Sequence, residues 1–304
     1  MEAKYVWMDG ELVENEKATV HFLTPALHYG AAAFEGIRAY NTDKGTAVFR
    51  LMEHARRLVD SAHVLGFRDL PWTTEQITSA IKKTVKVNGF NSCYIRPLVY
   101  WGGQVCGLNM NGAQPSLGIA TWEWTNYLGE EAMEKGIRAN ISSYTRHQPN
   151  VTMTKAKISG NYANSVLAKT ESIRLGFDEA IMLNPQGYVA ECTGENIFFV
   201  RNNKIVTPPL ADILEGITRD SIICIAKDLG YEVSELPVSR DQLYTADEVF
   251  VCGTAAECIS LREIDFRIIG EGKTGPVTCA IQKTFYAAIQ ARLPHYERWL
   301  DFID

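Results

Sequence analysis

Three stretches of the 304-residue chain hold residues whose types and spacing could do chemistry. Lys157 lies in Thr154-Lys155-Ala156-Lys157-Ile158-Ser159-Gly160-Asn161-Tyr162, just ahead of a predicted helix. A lysine there is either a surface charge or an amine that bonds a carbonyl group and shuttles protons. Lys155 is its local rival, because an i, i+2 pair in an extended segment shares a face and spacing does not separate the two. Glu191 and Glu195, in Glu191-Cys192-Thr193-Gly194-Glu195-Asn196, stand between apolar strand-like runs. Charge is costly in such a place unless it meets a cation or the segment is a solvated turn. Gly216-Ile217-Thr218-Arg219-Asp220 opens a helix, and a glycine followed by backbone amides and a hydroxyl at a helix N-terminus is a cup for phosphate. Any capped helix start looks similar.

Two other motifs fail on context. Gly270-Glu271-Gly272-Lys273-Thr274-Gly275 matches the dinucleotide pattern G-x-G-x-x-G, between Phe266-Arg267-Ile268-Ile269 and a helix. Too little chain follows Gly275 for a crossover and a second strand bearing a ribose-binding acid. Gly272-Lys273-Thr274 imitates the end of a phosphate-binding loop, but Arg267 occupies the place of its first glycine. A polar hairpin leading into a helix with Pro276 near its first turn accounts for both. None of the six histidines is spaced for zinc, so no metal is expected.

The elements that must position these residues read as a mixed α+β chain of about two domains. A hairpin is expected around Asp9-Gly10, helices over 51–66 and 74–87, and strands over 94–101 and 116–124. The polar stretch 125–134 reads as a linker between a smaller domain, 1–124, and a larger one, 135–304. The second half alternates strands (137–144, 179–183, 188–190, 196–201, 231–236, 248–252) with helices (161–175, 217–229, 276–292). Thirty basic against 36 acidic residues give a net charge of −6, which argues against nucleic acid as a partner. No apolar run approaches a membrane span, and Met1-Glu2-Ala3-Lys4-Tyr5 does not resemble a secretion signal. A cytoplasmic protein is expected, with its seven cysteines, none in a C-x-x-C pair, as free thiols.

Taken together, the motifs resemble the branched-chain-amino-acid aminotransferases among the fold-type IV pyridoxal-phosphate enzymes. The resemblance runs through His28-Tyr29-Gly30, Phe34-Glu35-Gly36-Ile37-Arg38, Tyr94-Ile95-Arg96-Pro97, Lys157 with Gly160-Asn161-Tyr162, Glu191 with Gly194-Glu195-Asn196, Gly216 to Asp220, and Gly253-Thr254-Ala255-Ala256-Glu257. It implies transfer of the amino group of leucine, isoleucine or valine to 2-oxoglutarate, and it picks Lys157 as the lysine that holds pyridoxal 5'-phosphate as a Schiff base. Glu191 would keep the pyridine nitrogen protonated, with Glu195 as the nearby alternative. Arg57, Ile217, Thr218 and Thr254 would hold the phosphate and Tyr162 the ring hydroxyl. Arg57 also has an ordinary surface partner four residues back, Glu53.

The same resemblance implies a substrate pocket walled by Tyr29, Phe34, Trp124 and Tyr127, within motifs that include Gly36 and Arg38. Tyr94 and the amides of Thr254 and Ala255 would take the α-carboxylate, and Arg96 the γ-carboxylate of glutamate. The loop 104–108 resembles one that reaches a partner subunit's site, departing from the family pattern at Cys106 and Leu108, and a homodimer or a trimer of dimers is implied. Tyr94-Ile95-Arg96-Pro97 and Gly253-Thr254-Ala255-Ala256 argue against the other activities of the fold: D-amino-acid aminotransferase, (R)-amine transaminase and aminodeoxychorismate lyase. An intact Lys157 and Glu191 argue against a binder without catalysis.

Overall fold

Asp9 and Gly10 take φ of 49° and 109°, the left-handed pair that a two-residue primed turn requires. They join β1 (Tyr5–Met8) to β2 (Glu11–Glu14). The structure, a computed structural model, describes residues 3–104, 107–124 and 135–303. Its contacts divide the chain into two units. The first holds Met1–Thr125, Ala156–Asn161 and Ala288–Asp304; the second holds Asn126–Lys155 and Tyr162–Ala287. Division at 125–134 leaves the lysine segment and the C-terminal segment with the second domain, whereas contacts group both with the first. The expected linker itself lies outside the described residues.

In the first unit the chain continues through α1 (Pro25–Tyr29), β3 (Ala32–Phe34), β4 (Ile37–Thr42), β5 (Gly45–Phe49), α2 (Leu51–Val64), α3 (Thr74–Asn88), β6 (Cys93–Trp101) and β7 (Pro115–Glu123). Among the described residues these make a sheet of eight strands: Leu300–Phe302, β5, β4, β6, β7, β1 and β2 in order, with β3 also paired to β6. Leu51, Ala55, Leu58 and Ala62 recur at helical spacing on α2 and are fully buried, in one core with Ile77 and Ile81 of α3 and Ile37, Ile95 and Ile119 of the sheet. Thr73 and Gln76 form a capping box at the start of α3, and Gly89, at φ 69°, ends it.

The second unit runs through β8 (Ile137–Ile141), α4 (Tyr162–Arg174), β9 (Glu179–Leu183), β10 (Val189–Cys192), β11 (Asn196–Arg201), β12 (Lys204–Thr207), α5 (Ile217–Asp228), β13 (Glu232–Glu235), α6 (Arg240–Tyr244), β14 (Glu248–Gly253), β15 (Glu257–Ile264) and β16 (Arg267–Ile268), then enters α7 (Pro276–Ile289). Its sheet, nine strands among the described residues, has the order β10-β9-β8-β15-β14-β11-β12-β13, with β16 on β15. Parallel pairs (β8 with β9 and β15, β12 with β13) mix with antiparallel ones. The fold is α+β, as expected.

Three details differ from the sequence expectation or complete it. The strand over 137–144 stops at Ile141, and the hydroxyls of Ser142 and Ser143 turn to Glu171. The C-terminal helix stops at Ile289, because Ala291 is left-handed at φ 59°. At the glycine-rich 270–275, the buried carboxylate of Glu248 accepts from the N–H groups of Val277 (3.0 Å) and Thr278 (2.7 Å) and from the Thr278 hydroxyl (2.6 Å). A Cβ on Gly275 would lie 2.2 Å from that carboxyl carbon. An internal acid thus occupies the place a bound phosphate would need.

Candidate active site

A turn at residues 154–155 breaks the extended geometry on which the equivalence of the two lysines depended. Lys155 Nζ donates to the Ile213 carbonyl (3.2 Å) and lies 3.5 Å from Glu215, a half-exposed pair. Lys157 is bound by its backbone within the first unit. Its N–H donates to Ser61 Oγ on α2 (2.9 Å), its carbonyl accepts from the N–H of Phe34 (3.0 Å), and Ile158 bridges Ala33. Next to it, the Gly160 N–H donates to the Gly30 carbonyl, and a Cβ on Gly30 would lie 2.6 Å from Gly160 Cα. That close crossing demands glycine at position 30, which is also left-handed at φ 63°. Lys157 Nζ comes to 5.0 Å from the centre of the Phe34 ring.

Arg57 does not pair with Glu53, which binds Arg50 instead (2.6 Å). Its Nε and Nη2 meet the two carboxylate oxygens of Glu35 at 2.6 and 2.9 Å. Glu35, fully buried just after β3, also binds Nδ1 of buried His54 at 2.8 Å. Burial by itself would raise the pKa of Glu35, but Arg57 and His54 outweigh it and hold the carboxyl well below the usual range. Burial pushes the His54 imidazole down, against the pull of Glu35, so it is neutral and its Nδ1–H donates.

An aromatic wall stands on the same sheet. Tyr94 stacks on Trp122 (4.9 Å between ring centres) and lies 4.8 Å from Trp124. A Cβ on Gly36 would fall 2.0 Å from the Tyr94 hydroxyl, so only glycine leaves that phenol its place. Arg38, opposite Tyr94 in the ladder, is buried with its guanidinium over Tyr40. The Arg96 guanidinium lies 4.8 Å from the Phe34 ring centre and 5.4 Å from that of Tyr94; among the described residues no carboxylate pairs with it. Tyr29 ends α1 half-exposed, its hydroxyl accepting from the Gly107 N–H (3.2 Å), and Leu108 beyond is 81% exposed. Tyr127 and Cys106 lie outside the described residues.

In the second unit the register of β10 against β9 shifts between Val189 and Glu191. A bulge of this kind re-aims the residue that follows it, and here that residue is Glu191, buried at 5% exposure. Arg146 Nε donates to it at 2.7 Å, Asn196 Nδ2 and the Leu214 N–H each at 3.2 Å. Arg146 is held in turn by His147 Nδ1 (2.8 Å), whose imidazole burial and the Arg146 charge push down to about 4. Asn196 also reaches the Leu214 carbonyl, and a Cβ on Gly216 would collide with its side chain at 1.9 Å. Gly216 therefore serves Glu191's surroundings and, as the N-cap of α5, leaves the first-turn amides of Ile217 and Thr218 without a capping side chain.

Glu195 is buried near Glu179, which takes Lys169 as its cation. Burial first, and then the Glu179 charge, push Glu195 up to about 8. Thr254 and Ala255 sit in the turn joining β14 to β15, and Tyr162 opens α4. Sequence reasoning missed Glu35, His54, Ser61, Arg146, Asn196 and Trp122. For Glu35 a signal was present: an acid among apolar strand residues, the argument applied to Glu191.

Each unit by itself holds residues of the kinds pyridoxal phosphate needs: the first an amine anchored at its backbone, the second a buried carboxylate with three donors around it and a helix start that a glycine leaves uncapped. The chain belongs to the amino-transferase class IV family, whose model matches residues 32–264. It is 46% identical over 294 residues to the branched-chain-amino-acid aminotransferase of Pseudomonas aeruginosa, covering 97% of this chain and 95% of that one. The T.th. branched-chain amino acid aminotransferase superposes with a TM-score of 0.97 in its structure with pyridoxamine 5'-phosphate (49% identity) and 0.94 in its complex with N-(5'-phosphopyridoxyl)-L-glutamate (48% identity), each covering 100% of both chains. Within the class, then, the chain is a pyridoxal-phosphate-dependent branched-chain-amino-acid aminotransferase of fold type IV.

Proposed function

We propose that this chain passes the amino group of leucine, isoleucine or valine to 2-oxoglutarate, giving glutamate and branched-chain 2-oxo acids, with Lys157 as the residue that holds the cofactor and moves the proton. The cofactor would supply a protonated pyridine ring as an electron sink for chemistry at the substrate's α-carbon. Lys157 Nζ would hold the cofactor and, once the substrate's amine has displaced it and left it a free amine, would move the α-proton across to the cofactor's C4′ carbon. Glu191 keeps the ring nitrogen protonated, and Arg146, Asn196 and the Leu214 amide keep Glu191 in place. Tyr162 binds the ring hydroxyl, while Arg57, the amides of Ile217 and Thr218, and Thr254 hold the phosphate. Tyr94 with the amides of Thr254 and Ala255 orients the α-carboxylate.

Tyr29, Phe34, Trp124 and Tyr127 wall the side-chain pocket, with Gly36 making room for Tyr94 and Arg38 behind it. Arg96 meets the γ-carboxylate of glutamate, which lets one pocket take an apolar or an acidic chain; the relative bound to phosphopyridoxyl-L-glutamate supports the acidic case. The same proposal includes a cytoplasmic location and a homodimer or trimer of dimers; the exposure of Leu108 supports the assembly alone.

The observation that carries this reading is that Lys157 Nζ and the Arg96 guanidinium both lie within 5.0 Å of the centre of one ring, that of Phe34. An amino acid whose α-carbon faces the lysine can extend its side chain to the arginine. Lys157→Ala is expected to lose the visible absorbance of the lysine-bound cofactor and nearly all turnover, while Lys155→Ala keeps both. Borohydride reduction and peptide mapping will place the label on Lys157; a label on Lys155 overturns the assignment.

A further inference from the structure

We propose that Glu35 is a positioning residue: its buried carboxylate, braced by His54, locks the Arg57 guanidinium in the orientation that presents its outer edge to the cofactor phosphate. This rests on the reading that Arg57 binds that phosphate.

By simple Coulomb attraction, a carboxylate beside a phosphate-binding arginine is a liability, since it cancels the charge the phosphate seeks. Its use must lie in geometry. Arg57 ends a long side chain with many rotamers, and free rotation of that chain would have to be lost at each binding event. Glu35 takes the Nε and Nη2 positions in a two-point fork at 2.6 and 2.9 Å, which leaves the edge bearing Nη1 turned away from it. Glu35 cannot swing off to solvent, because it is fully buried and its second oxygen also accepts from neutral His54 at 2.8 Å.

The arrangement also sets a distance. His54, Arg57 and Ser61 follow one another at i, i+3 and i+7 on α2, so they share one face of that helix. Ser61 holds the backbone N–H of Lys157, and Phe34, next to Glu35 in the chain, holds its carbonyl. The cofactor would carry its lysine-reactive carbon and its phosphate on neighbouring ring positions, the phosphate through a short methylene–oxygen arm, so the two can lie only within a limited separation. The backbone that carries the lysine and the acid that aims the arginine are tied to the same helix and the same strand, which fixes the corresponding separation in the protein.

The test uses apo-protein and compares pyridoxal 5'-phosphate with pyridoxal, which lacks the phosphate, by fluorescence titration, with inorganic phosphate as a competing probe. Glu35→Gln keeps the shape and removes the charge. It is expected to weaken pyridoxal 5'-phosphate and inorganic phosphate at least about tenfold while leaving pyridoxal within about twofold. His54→Asn, which keeps a donor near the Nδ1 position, should bind both ligands like the wild type, whereas His54→Ala should share the selective loss. Arg57→Ala is the reference. If it leaves the preference for phosphate intact, the reading of Arg57 itself fails. If Arg57→Ala abolishes the preference and Glu35→Gln does not, the positioning role alone is overturned. Equal loss of both ligands in Glu35→Gln would mark a general structural defect and also overturn it. Should Glu35→Gln fail to fold, the histidine pair decides: His54→Ala matching the wild type in its preference for phosphate refutes the brace.

Discussion

Glu35 and Glu195 are both buried carboxyl groups, 0% and 6% exposed, yet they end in opposite protonation states. Glu35 has a cation of its own, Arg57, and a neutral donor, His54; it stays ionised. Glu195 lies by Glu179, whose carboxylate already occupies Lys169, and at about 8 its pKa keeps it protonated at neutral pH. Among these residues the first unit has a cation to spare, Arg96 on its aromatic rings, while the second has an acid to spare. Depth of burial therefore does not decide ionisation; the local count of partners does.

The sharpest way to break this contrast is to take away a partner. Arg146→Met strands Glu191 as a buried charge without its cation and is expected to cost about 3–5 kcal/mol, read from urea unfolding of the apo-protein; a loss below about 1 kcal/mol would show that Asn196 and the Leu214 amide suffice. Glu191→Gln should retain bound cofactor through the phosphate contacts but slow the amino-acid half-reaction by about 100-fold or more. A rate near wild type in stopped-flow traces would move the role to Glu195. Arg96→Ala tests the spare cation: glutamate and 2-oxoglutarate should lose about 1.5–3 kcal/mol, roughly 10- to 150-fold in kcat/KM, with leucine little changed. Equal losses would make Arg96 structural.

The smallest effect is expected at the spare acid. The folded state keeps the Glu195 proton up to about pH 8, whereas an unfolded chain releases it near the ordinary glutamate value of 4.5. Between those limits the native state binds more protons, so this group's contribution to stability falls as pH rises from 4.5 through about 8. Glu195→Gln removes that dependence and should gain about 1–2 kcal/mol on the wild type between about pH 5 and pH 9, followed by thermal unfolding across the range. Parallel pH profiles for the two proteins would sink the assignment.

Much of this arrangement was legible beforehand. The spacing of Leu51, Ala55, Leu58 and Ala62 dictates α2, and Asp9-Gly10 dictates the first hairpin, because local sterics and a single periodicity decide both. The family resemblance singled out Lys157 over Lys155, and the turn at 154–155 gives the two lysines different surroundings. What escaped was long-range partnership. Nothing in the sequence near Arg57 points to Glu35, 22 residues earlier, and an i, i+4 rule pointed to Glu53 instead. Arg146 meets Glu191 only because β10 bulges before that residue, and a one-residue shift of register cannot be read from alternation in a short apolar run.

The grouping of Ala156–Asn161 and the C-terminal segment with the first unit bears on how the chain acquires its fold during synthesis. Leu300 pairs with Phe49 in the first sheet, so that sheet cannot be finished when β5 leaves the ribosome; it waits for a strand that is made much later. The first unit therefore cannot complete its fold before the second has been synthesised. The entropy of closing such a span grows only logarithmically with its length, but the search is slow. In the interval β5 presents an open edge to any neighbouring chain, which makes Leu300–Phe302 the natural guard against misassembly of that sheet.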